Sequence, residues 1–505
     1  MLVKTQPDEL QSFFSDSSYM QSGSAGQVVF PETPEEAAEV LARASRERTP
    51  VTVSGAGTGT VGGRIPFGGV VLATDKLNRI VSIHQTEDGG RAVAEAGVIL
   101  SEFQRAVESQ GLLYPPDPTE RSCYLGGTVA TNASGARTFK YGPTRTYVRR
   151  LKMALATGEI LDMQRGELCA NSQGQIRIPL SSGRIIVAQL PSYQMPATRK
   201  HAAGYFVAPD MDLLDLFIGS EGTLAVIIEI EVAVLAKPEG LLAGIVFFKS
   251  EEDLLPFVAE VRRQSLETRT GNGAEQDQKQ KIGIDARALE YFDAQSLVFL
   301  RQKYGSIPAT ATAALFFEQE TNSGNEDWLT QAWLTLLERH SALTDDSWFA
   351  TNEQDQAKLR EFRHQLPVLM NEWFARHQQR KVSTDMAVPD EEFAGMLAFY
   401  QKTLQSSDLR YTIFGHIGDN HVHVNILPRN DMGAGKAREI YLQFVKRAIA
   451  VGGTVSAEHG IGKLKREYLE LLYGKDHLRE MAALKRAFDP ACILGRGNII
   501  AETFL

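Results

Sequence analysis

Residues 415–428, GHIGDNHVHVNILP, hold three of the chain's ten histidines within eight positions, and SAEHGIG at 456–462 contributes Glu458 and His459. Imidazole nitrogens joined by a carboxylate oxygen suit a borderline divalent ion such as zinc or manganese, with coordination positions left open for a substrate. On one continuous strand His416 and His423, an odd number of residues apart, would point to opposite faces. Gly418-Asp419-Asn420 between them is turn chemistry, so a hairpin folds them back together. Both flanks, YTIF and HVHVNIL, alternate in a β-rich pattern. His416 therefore ends one strand, and His421 and His423 project from one face of the next. The expected metal ligands are His416, His423 and Glu458, with His421 a candidate substrate contact.

A chain of 505 residues has room for two or three domains, each with its own core. Its 43 glycines gather in patterned loops rather than in low-complexity tracts. A formal net charge of −9 with no basic block argues against nucleic acid as a main partner. Cys123, Cys169 and Cys492 lie far apart and form no C-x-x-C, so neither a disulfide framework nor a thiolate-held cluster is encoded. The first residues lack the basic start and apolar run of a signal peptide, and no apolar stretch reaches the roughly 18–20 residues of a spanning helix. The expectation is a cytoplasmic protein without a transmembrane segment, with peripheral contact at the inner face of a membrane left open.

The elements that must position the histidines begin with strand, helix, strand. Residues 27–30 are extended, Thr33-Pro34-Glu35-Glu36 supplies an N-cap, a first-turn proline and a capping-box glutamate, and residues 50–53 form the second strand. SGAGTGTVGG at 54–63 follows at once and contains a formal G-x-G-x-x-G from Gly57 to Gly62. A nicotinamide-binding unit needs a helix opening at the third glycine, yet Arg64-Ile65-Pro66-Phe67-Gly68-Gly69 runs almost directly into the strand VVLAT. There is no room for the crossover helix, but the loop can still cradle a pyrophosphate with backbone N–H groups. A second region, 114–142, concentrates residues too small to build a core, which allow close approach of a large planar ligand. A third joins a GSEG turn at 219–222 to a β-rich run, and Lys237-Pro238-Glu239-Gly240 marks a domain boundary. Beyond it GIVFFKS precedes EEDLLPFVAEVRRQ and TAALFFEQ precedes EDWLTQAWLTLLERH, the pattern of an antiparallel sheet covered by helices. The polar stretch TGNGAEQDQKQKIG from Thr270 reads as a solvated loop.

Taken in order, the three glycine segments, GHIGDNHVHV and SAEHGIG resemble the FAD-linked 2-hydroxy-acid dehydrogenases and oxidases, a flavoprotein family related in fold to vanillyl-alcohol oxidase. The family includes glycolate oxidase flavin subunits, D-lactate dehydrogenases and D-2-hydroxyglutarate dehydrogenases, and the resemblance runs from about residue 25 to the C-terminus. It implies an α+β fold with a helical lead-in over 1–24 and a two-subdomain FAD-binding domain of the vanillyl-alcohol oxidase/PCMH type over 25–238. A substrate-side cap with a ferredoxin-like antiparallel sheet would span 239–455, and C-terminal helices over 456–505 would return to the flavin portion.

Carried over motif by motif, Ser54, Gly55, Ala56, Gly57, Thr58, Gly59 and Thr60 resemble the family's pyrophosphate loop, and Pro116, Asp117, Pro118 and Thr119 its PDP-Ser/Thr segment. Gly126, Gly127, Ala130, Thr131, Asn132, Ser134 and Gly135 resemble the segment flanking the flavin and its diphosphate, with Tyr141 and Gly142 following. Lys200 to Tyr205 and Gly219 to Thr223 match a paired signature whose second part, with Glu221 and Gly222, lies near the adenine and ribose. Gly57 stands where covalent members often carry histidine, which implies a non-covalent, dissociable FAD. The chain departs from the family at its end: in place of Asn-Pro-Gly-Lys, Asp489-Pro490 leads to Leu494-Gly495-Arg496-Gly497-Asn498, with Asn498 the candidate for the missing asparagine.

The implied reaction oxidises a small D-2-hydroxy acid, D-lactate, glycolate or similar, to the 2-oxo acid, with hydride passing to flavin N5. A divalent metal on His416, His423 and Glu458 would lower the pKa of the substrate hydroxyl, and His459 is the candidate base. Arg360, in KLREFRHQLP, resembles a family arginine whose planar fork holds the substrate carboxylate; Arg363 and His364 are further candidates. Lys381 does not align with the lysine of the hydroxyglutarate enzymes and is a weaker substrate candidate. Electrons would pass to a quinone, an electron-transfer flavoprotein or an iron–sulfur partner subunit, and homodimer and larger complex both stay open. Two other readings stand beside this one: a non-redox flavoprotein transferase like alkyl-dihydroxyacetonephosphate synthase, and a silent flavin-binding subunit of a larger complex.

Overall fold

A computed structural model describes residues 1–21, 23–270 and 283–505. Apart from Thr270 and Gly283, the polar stretch expected to be a solvated loop lies outside the described residues. The first sheet grows from the strand–helix–strand unit. Thr33 caps helix Pro34–Glu47 by accepting the Glu36 N–H at 3.2 Å. The helix's apolar stripe, with Val40 and Leu41 fully buried, packs on the parallel strands Gln27–Phe30, Val70–Ala73 and Val51–Ser54. Each such side chain contributes about 1.5–3 kcal/mol on burial. The lead-in is only partly helical: Leu2–Lys4 adds an antiparallel edge strand beside Gln27–Phe30 before the short helical turns at Pro7–Leu10 and Gln11–Phe13. No helix separates the glycine loop after Ser54 from Val70–Ala73, in keeping with the missing crossover helix.

The second sheet is antiparallel, in the spatial order Ile80–Thr86, Gly89–Glu95, Ala225–Ala236, Val148–Leu155, Ile160–Gln164, with Leu112–Leu113 also beside Ala225–Ala236. Its central strand is the β-rich run that leaves the GSEG turn, and helix Leu125–Ala130, from the small-residue region, packs near it. Two of the three predicted flavin segments are thereby hung on one sheet.

The cap is built on a third antiparallel sheet. Four strands in the order Trp348–Ala350, Gly240–Phe248, Ala313–Thr321, Ala286–Phe292, with helices Glu251–Thr270 and Glu326–Arg339 as connections, form the expected ferredoxin-like unit. Beyond Ala286–Phe292 the sheet continues with Arg410–Gly415, His423–Leu427 and Val382–Ser383, so the histidine hairpin is an extension of the cap sheet. Period-2 alternation divides the strand Gly240–Phe248 between two cores. Leu242, Val246 and Phe248 join Phe257 and Trp333 of the two connecting helices, whereas Ala243, Ile245 and Phe247 join Phe362 and Leu366 of helix Glu353–His377.

After helices Asp431–Ala450 and Arg466–Phe488 the chain returns to the first sheet, where Val51 donates to Ile493 O at 2.8 Å and accepts from Gly495 N at 2.9 Å. Among the described residues no helix is long and apolar enough to cross a membrane.

Candidate active site

Strand Arg410–Gly415 pairs with His423–Leu427 so that Phe414 faces His423. Between them residues 417–419 make one 3₁₀ turn, and Asn420 takes the left-handed conformation, φ 53°, that asparagine tolerates better than most residues. The hairpin brings the rings of His416, His421 and His423 to centroid separations of 4.5–5.6 Å. Glu458 closes the group: its Oε1 lies 3.3 Å from His416 Nε2 and 3.9 Å from His421 Nδ1, and its Oε2 lies 3.9 Å from His423 Nε2. One ligand atom from each of these four residues falls within 4.8 Å of all the others. The three expected ligands are therefore together, and His421 joins them as a fourth.

The surrounding contacts decide which ring nitrogens face the centre. His423 Nδ1–H donates to Thr384 O at 2.9 Å, and His416 Nδ1 bonds Glu290 Oε1 at 2.6 Å, so both rings turn Nε2 toward Glu458. Such outer partners fix the tautomer of a metal-binding imidazole. Glu290 is itself held by Arg363 Nε at 2.9 Å, and Glu458 Oε1 accepts from Lys200 Nζ at 2.5 Å and Ser134 Oγ at 3.0 Å. Burial alone would raise Glu458, but the charges of His416 and Lys200 hold it well below the usual carboxylate range. Burial opposes the charged form of His416 too, yet Glu290 and Glu458 outweigh it and push the ring up to about 9. Burial and the neighbouring imidazoles press His423 well below its ordinary value, so it is a neutral donor. His421 is wholly buried, and its Nδ1 has no hydrogen-bond partner among the described residues. An orphaned buried nitrogen costs about 1–3 kcal/mol, and a cation beside the ionised Glu458 and the neutral His423, displacing the proton that Glu290 and Glu458 hold on His416, would satisfy it. The residues fit a divalent ion.

These side chains border a cavity of about 370 Å³ whose wall includes His423, Glu458 and His459 together with the predicted flavin segments. Gly55, Ala56, Gly57, Thr58, Gly59, Thr60, Thr119, Gly126, Gly127, Ala130, Thr131, Ser134, Glu221, Gly222 and Asn498 all line it. A Cβ on Gly59 or Gly127 would meet nothing within 4 Å, so these glycines face open space that a side chain would fill. That is the cradle a large dinucleotide needs, and FAD fits it. At Gly57 the room is already taken, because a Cβ there would come within 2.2 Å of the Arg64 guanidinium, which itself donates to Gly55 O at 3.1 Å.

The other predicted cofactor residues do not line the cavity but shape its wall. Ser54 ends the strand before the glycine loop, and Pro116 O accepts from Gln104 Nε2 at 2.9 Å. Asp117 pairs with Arg121 at 3.1 Å, and Gly135 must be glycine because a Cβ would lie 1.9 Å from Asp117 O. Asn132, with φ 48°, accepts the Arg145 N–H, Tyr141 bonds Glu320, and Gly142 ends a helical turn at φ 76°.

Arg363, buried, is committed to Glu290, and His364 contacts Arg363 at 3.1 Å. Arg360 keeps 30% exposure of its side chain, and among the described residues its one ion pair is a 3.6 Å contact with Glu318. Lys381 is exposed ahead of the edge strand Val382–Ser383, and neither it nor Arg360 lines the cavity. The altered C-terminal motif is accommodated: Asn498 Nδ2 donates to Gly63 O at 2.8 Å and Glu221 O at 3.2 Å, and its Oδ1 accepts from Lys463 Nζ at 2.6 Å. One asparagine thus ties the chain end to two flavin segments.

Several residues of the site had no predicted role. Asp16 of the lead-in lines the cavity, and the neighbouring Ser17 N–H donates to Gly57 O at 3.2 Å, so the lead-in crosses the glycine loop. Lys200, Glu290 and Asp385 bind the histidine cluster from behind. The signal for Glu290 was available, a carboxylate inside the strand ARALEYF, which is buried throughout.

Residues 25–164 match the model of a family described as FAD binding domain, and residues 274–499 match that of the FAD linked oxidases, C-terminal domain. The chain is 28% identical to glycolate oxidase subunit GlcD of Bacillus subtilis (strain 168) over 94% of its own length and 89% of the relative's. It is 29% identical to D-lactate dehydrogenase of Anaerostipes hadrus, covering 97% and 93% of the two chains. With D-2-hydroxyglutarate dehydrogenase of Stutzerimonas stutzeri (strain A1501) the identity is 25% over 99% and 96%. A solved alkyldihydroxyacetonephosphate synthase superposes with a TM-score of 0.66 over 98% of this chain and 81% of that one, at 14% identity, a likeness of fold alone.

Proposed function

This chain belongs to the family of FAD-linked 2-hydroxy-acid dehydrogenases and oxidases, and from that premise we propose that it oxidises a small D-2-hydroxy acid, D-lactate, glycolate or a close relative, to the 2-oxo acid. The observation that carries the reading is the single cavity shared by the glycine segments and by His423, Glu458 and His459. Bound FAD supplies the two-electron acceptor, and a zinc or manganese ion on His416, His423 and Glu458, with His421 as a fourth donor, supplies a Lewis acid for the substrate hydroxyl.

His459 takes the hydroxyl proton. Burial draws its pKa down to about 4, offset in part by Asp385, so the ring is a neutral acceptor at pH 7. Arg360 is the candidate arginine for the substrate carboxylate: it does not line the cavity, but its guanidinium is partly exposed and loosely paired, whereas Arg363 is spent on Glu290. Lys200 and Ser134 hold Glu458 Oε1, which leaves Oε2 as its freer oxygen. Arg64 fills the place beside Gly57, which supports a dissociable FAD. Electrons leave to a quinone or a protein acceptor.

Anaerobic mixing with D-lactate, glycolate and D-2-hydroxyglutarate, in the presence of zinc or manganese, tests the reading. Bleaching of the flavin by at least one acid is expected, and no bleaching by any of them overturns it. Acid precipitation should leave the yellow chromophore in the supernatant; a yellow pellet would contradict non-covalent binding.

A further inference from the structure

Asp385 is wholly buried just beyond the edge strand Val382–Ser383, behind the histidine cluster. Its Oδ1 accepts the Glu458 N–H at 3.1 Å. Its Oδ2 accepts the His459 N–H at 3.0 Å, Ser456 Oγ at 2.6 Å and Lys465 Nζ at 2.6 Å. Its backbone carbonyl takes the Ala457 N–H at 2.7 Å. Every residue from Ser456 to His459 is therefore tied to this one aspartate. Two imidazoles also face it: His421 Nε2 at 3.3 Å from Oδ1, and His459 Nδ1 at 3.4 Å from Oδ2.

Asp385, His423 and His459 offer ligand atoms within 4.8 Å of one another, so a second metal position is the rival explanation. The donors argue against it. Both carboxylate oxygens are engaged by N–H, O–H and ammonium groups, and a divalent ion on Oδ2 would have to share it with the Lys465 ammonium. A carboxylate oxygen that already faces an ammonium is an organiser rather than a ligand.

Resting on the reading of His459 as the base, we propose that Asp385 is the positioning residue of the reaction. It fixes the backbone that carries His459, and it holds the ring with Nδ1–H toward Oδ2. Nε2, which has no partner among the described residues, is then the nitrogen that receives the proton. The logic is that of an aspartate that sets a histidine's tautomer without itself exchanging a proton.

The test uses FAD-replete, metal-loaded Asp385→Asn, His459→Ala and the double variant. Asp385→Asn should keep wild-type flavin and metal content while flavin reduction by the best acid slows about 10²–10⁴-fold, in kcat rather than KM. The double variant should be no slower than His459→Ala alone, because the aspartate acts through the histidine. A rate within a few-fold of wild type, losses that multiply, or loss of metal in step with rate would each overturn the proposal. Should Asp385→Asn fail to fold, ¹⁵N-histidine spectra of the wild-type protein, with His459 assigned through His459→Gln, decide the matter. The Nδ1–H tautomer is expected, and the Nε2–H tautomer overturns the proposal. That measurement is independent of turnover, so a protein that oxidises no hydroxy acid would sink the functional reading and leave the tautomer to judge Asp385.

Discussion

On the flavin side the cavity wall is mostly backbone and space: Gly59 and Gly127 face open volume, and one carboxylate there, Glu221, accepts the N–H groups of Ile461 and Gly462. On the histidine side the wall is charge, and each carboxylate has a cation: Glu458 with Lys200 at 2.5 Å, Asp385 with Lys465 at 2.6 Å, Glu290 with Arg363 at 2.9 Å. Backbone donors and vacant Cβ positions select a ligand by shape, so that wall is sensitive to added volume. Paired charges hold nitrogen and oxygen atoms at fixed points in a dry site, so the other wall is sensitive to altered charge and indifferent to much else.

The sharpest way to break this contrast is to damage each wall and read both functions. A His416→Ala, His423→Ala double variant should lose flavin reduction by about 10²–10⁴-fold or more, since it removes the Lewis-acid site, while absorbance shows an unchanged FAD content. Reduction at the wild-type rate would dispose of the metal mechanism. Gly127→Val should do the reverse. Its side chain enters empty cavity rather than packed protein, so the protein folds but retains little FAD after gel filtration. Full FAD content in that variant would show that the vacant volume is not the flavin cradle.

A smaller effect is expected one layer out. Glu290→Gln keeps the size of the side chain but removes the charge that orients His416 and pairs with Arg363. Metal affinity, measured by competition with a chromogenic chelator, should weaken about 10–100-fold with FAD content unchanged. An unchanged affinity would mean that His416 is oriented by packing alone.

The two walls were also unequally legible in the sequence. The hairpin could be read because its determinants are local: Gly418-Asp419-Asn420 must turn, and the flanking alternation sets which face each histidine takes. The glycine loops were legible for the same reason, and so were the antiparallel sheet and covering helices of the cap, whose ferredoxin-like order was implied by the family resemblance alone. Contacts across long separations were not. Glu290 lies 126 residues from His416, and Lys200 lies 258 from Glu458. Nothing in local periodicity pairs residues so far apart, so the nearness of His421 to Glu458 was not foreseen beside its expected substrate contact. The crossing of the lead-in over the glycine loop was illegible too, since it rests on single contacts such as Ser17 N–H to Gly57 O.

The smallest predicted effect separates the walls by pH. Burial, against the N–H groups of Ile461 and Gly462, pushes Glu221 up to about 7, above its value of 4.5 in an unfolded chain. The folded protein therefore holds this proton more tightly than the unfolded one. Its contribution to stability is full below pH 4.5 and is lost as the pH rises through about 7. Asp385 has the opposite sign. Burial would raise it, but His459 and Lys465 hold it well below 3.8, so its contribution is present above that pH and is lost on acidification. Glu221→Gln removes the titration and keeps one oxygen to accept an N–H. In the FAD-replete protein the fall in Tm between pH 5 and 7 should become shallower by about 2 °C, with no change in the acid limb below pH 4. Differential scanning fluorimetry across that range reads both limbs at once. A variant that flattened the acid limb instead would place the uncompensated charge on the histidine side, and the contrast between the walls would fail.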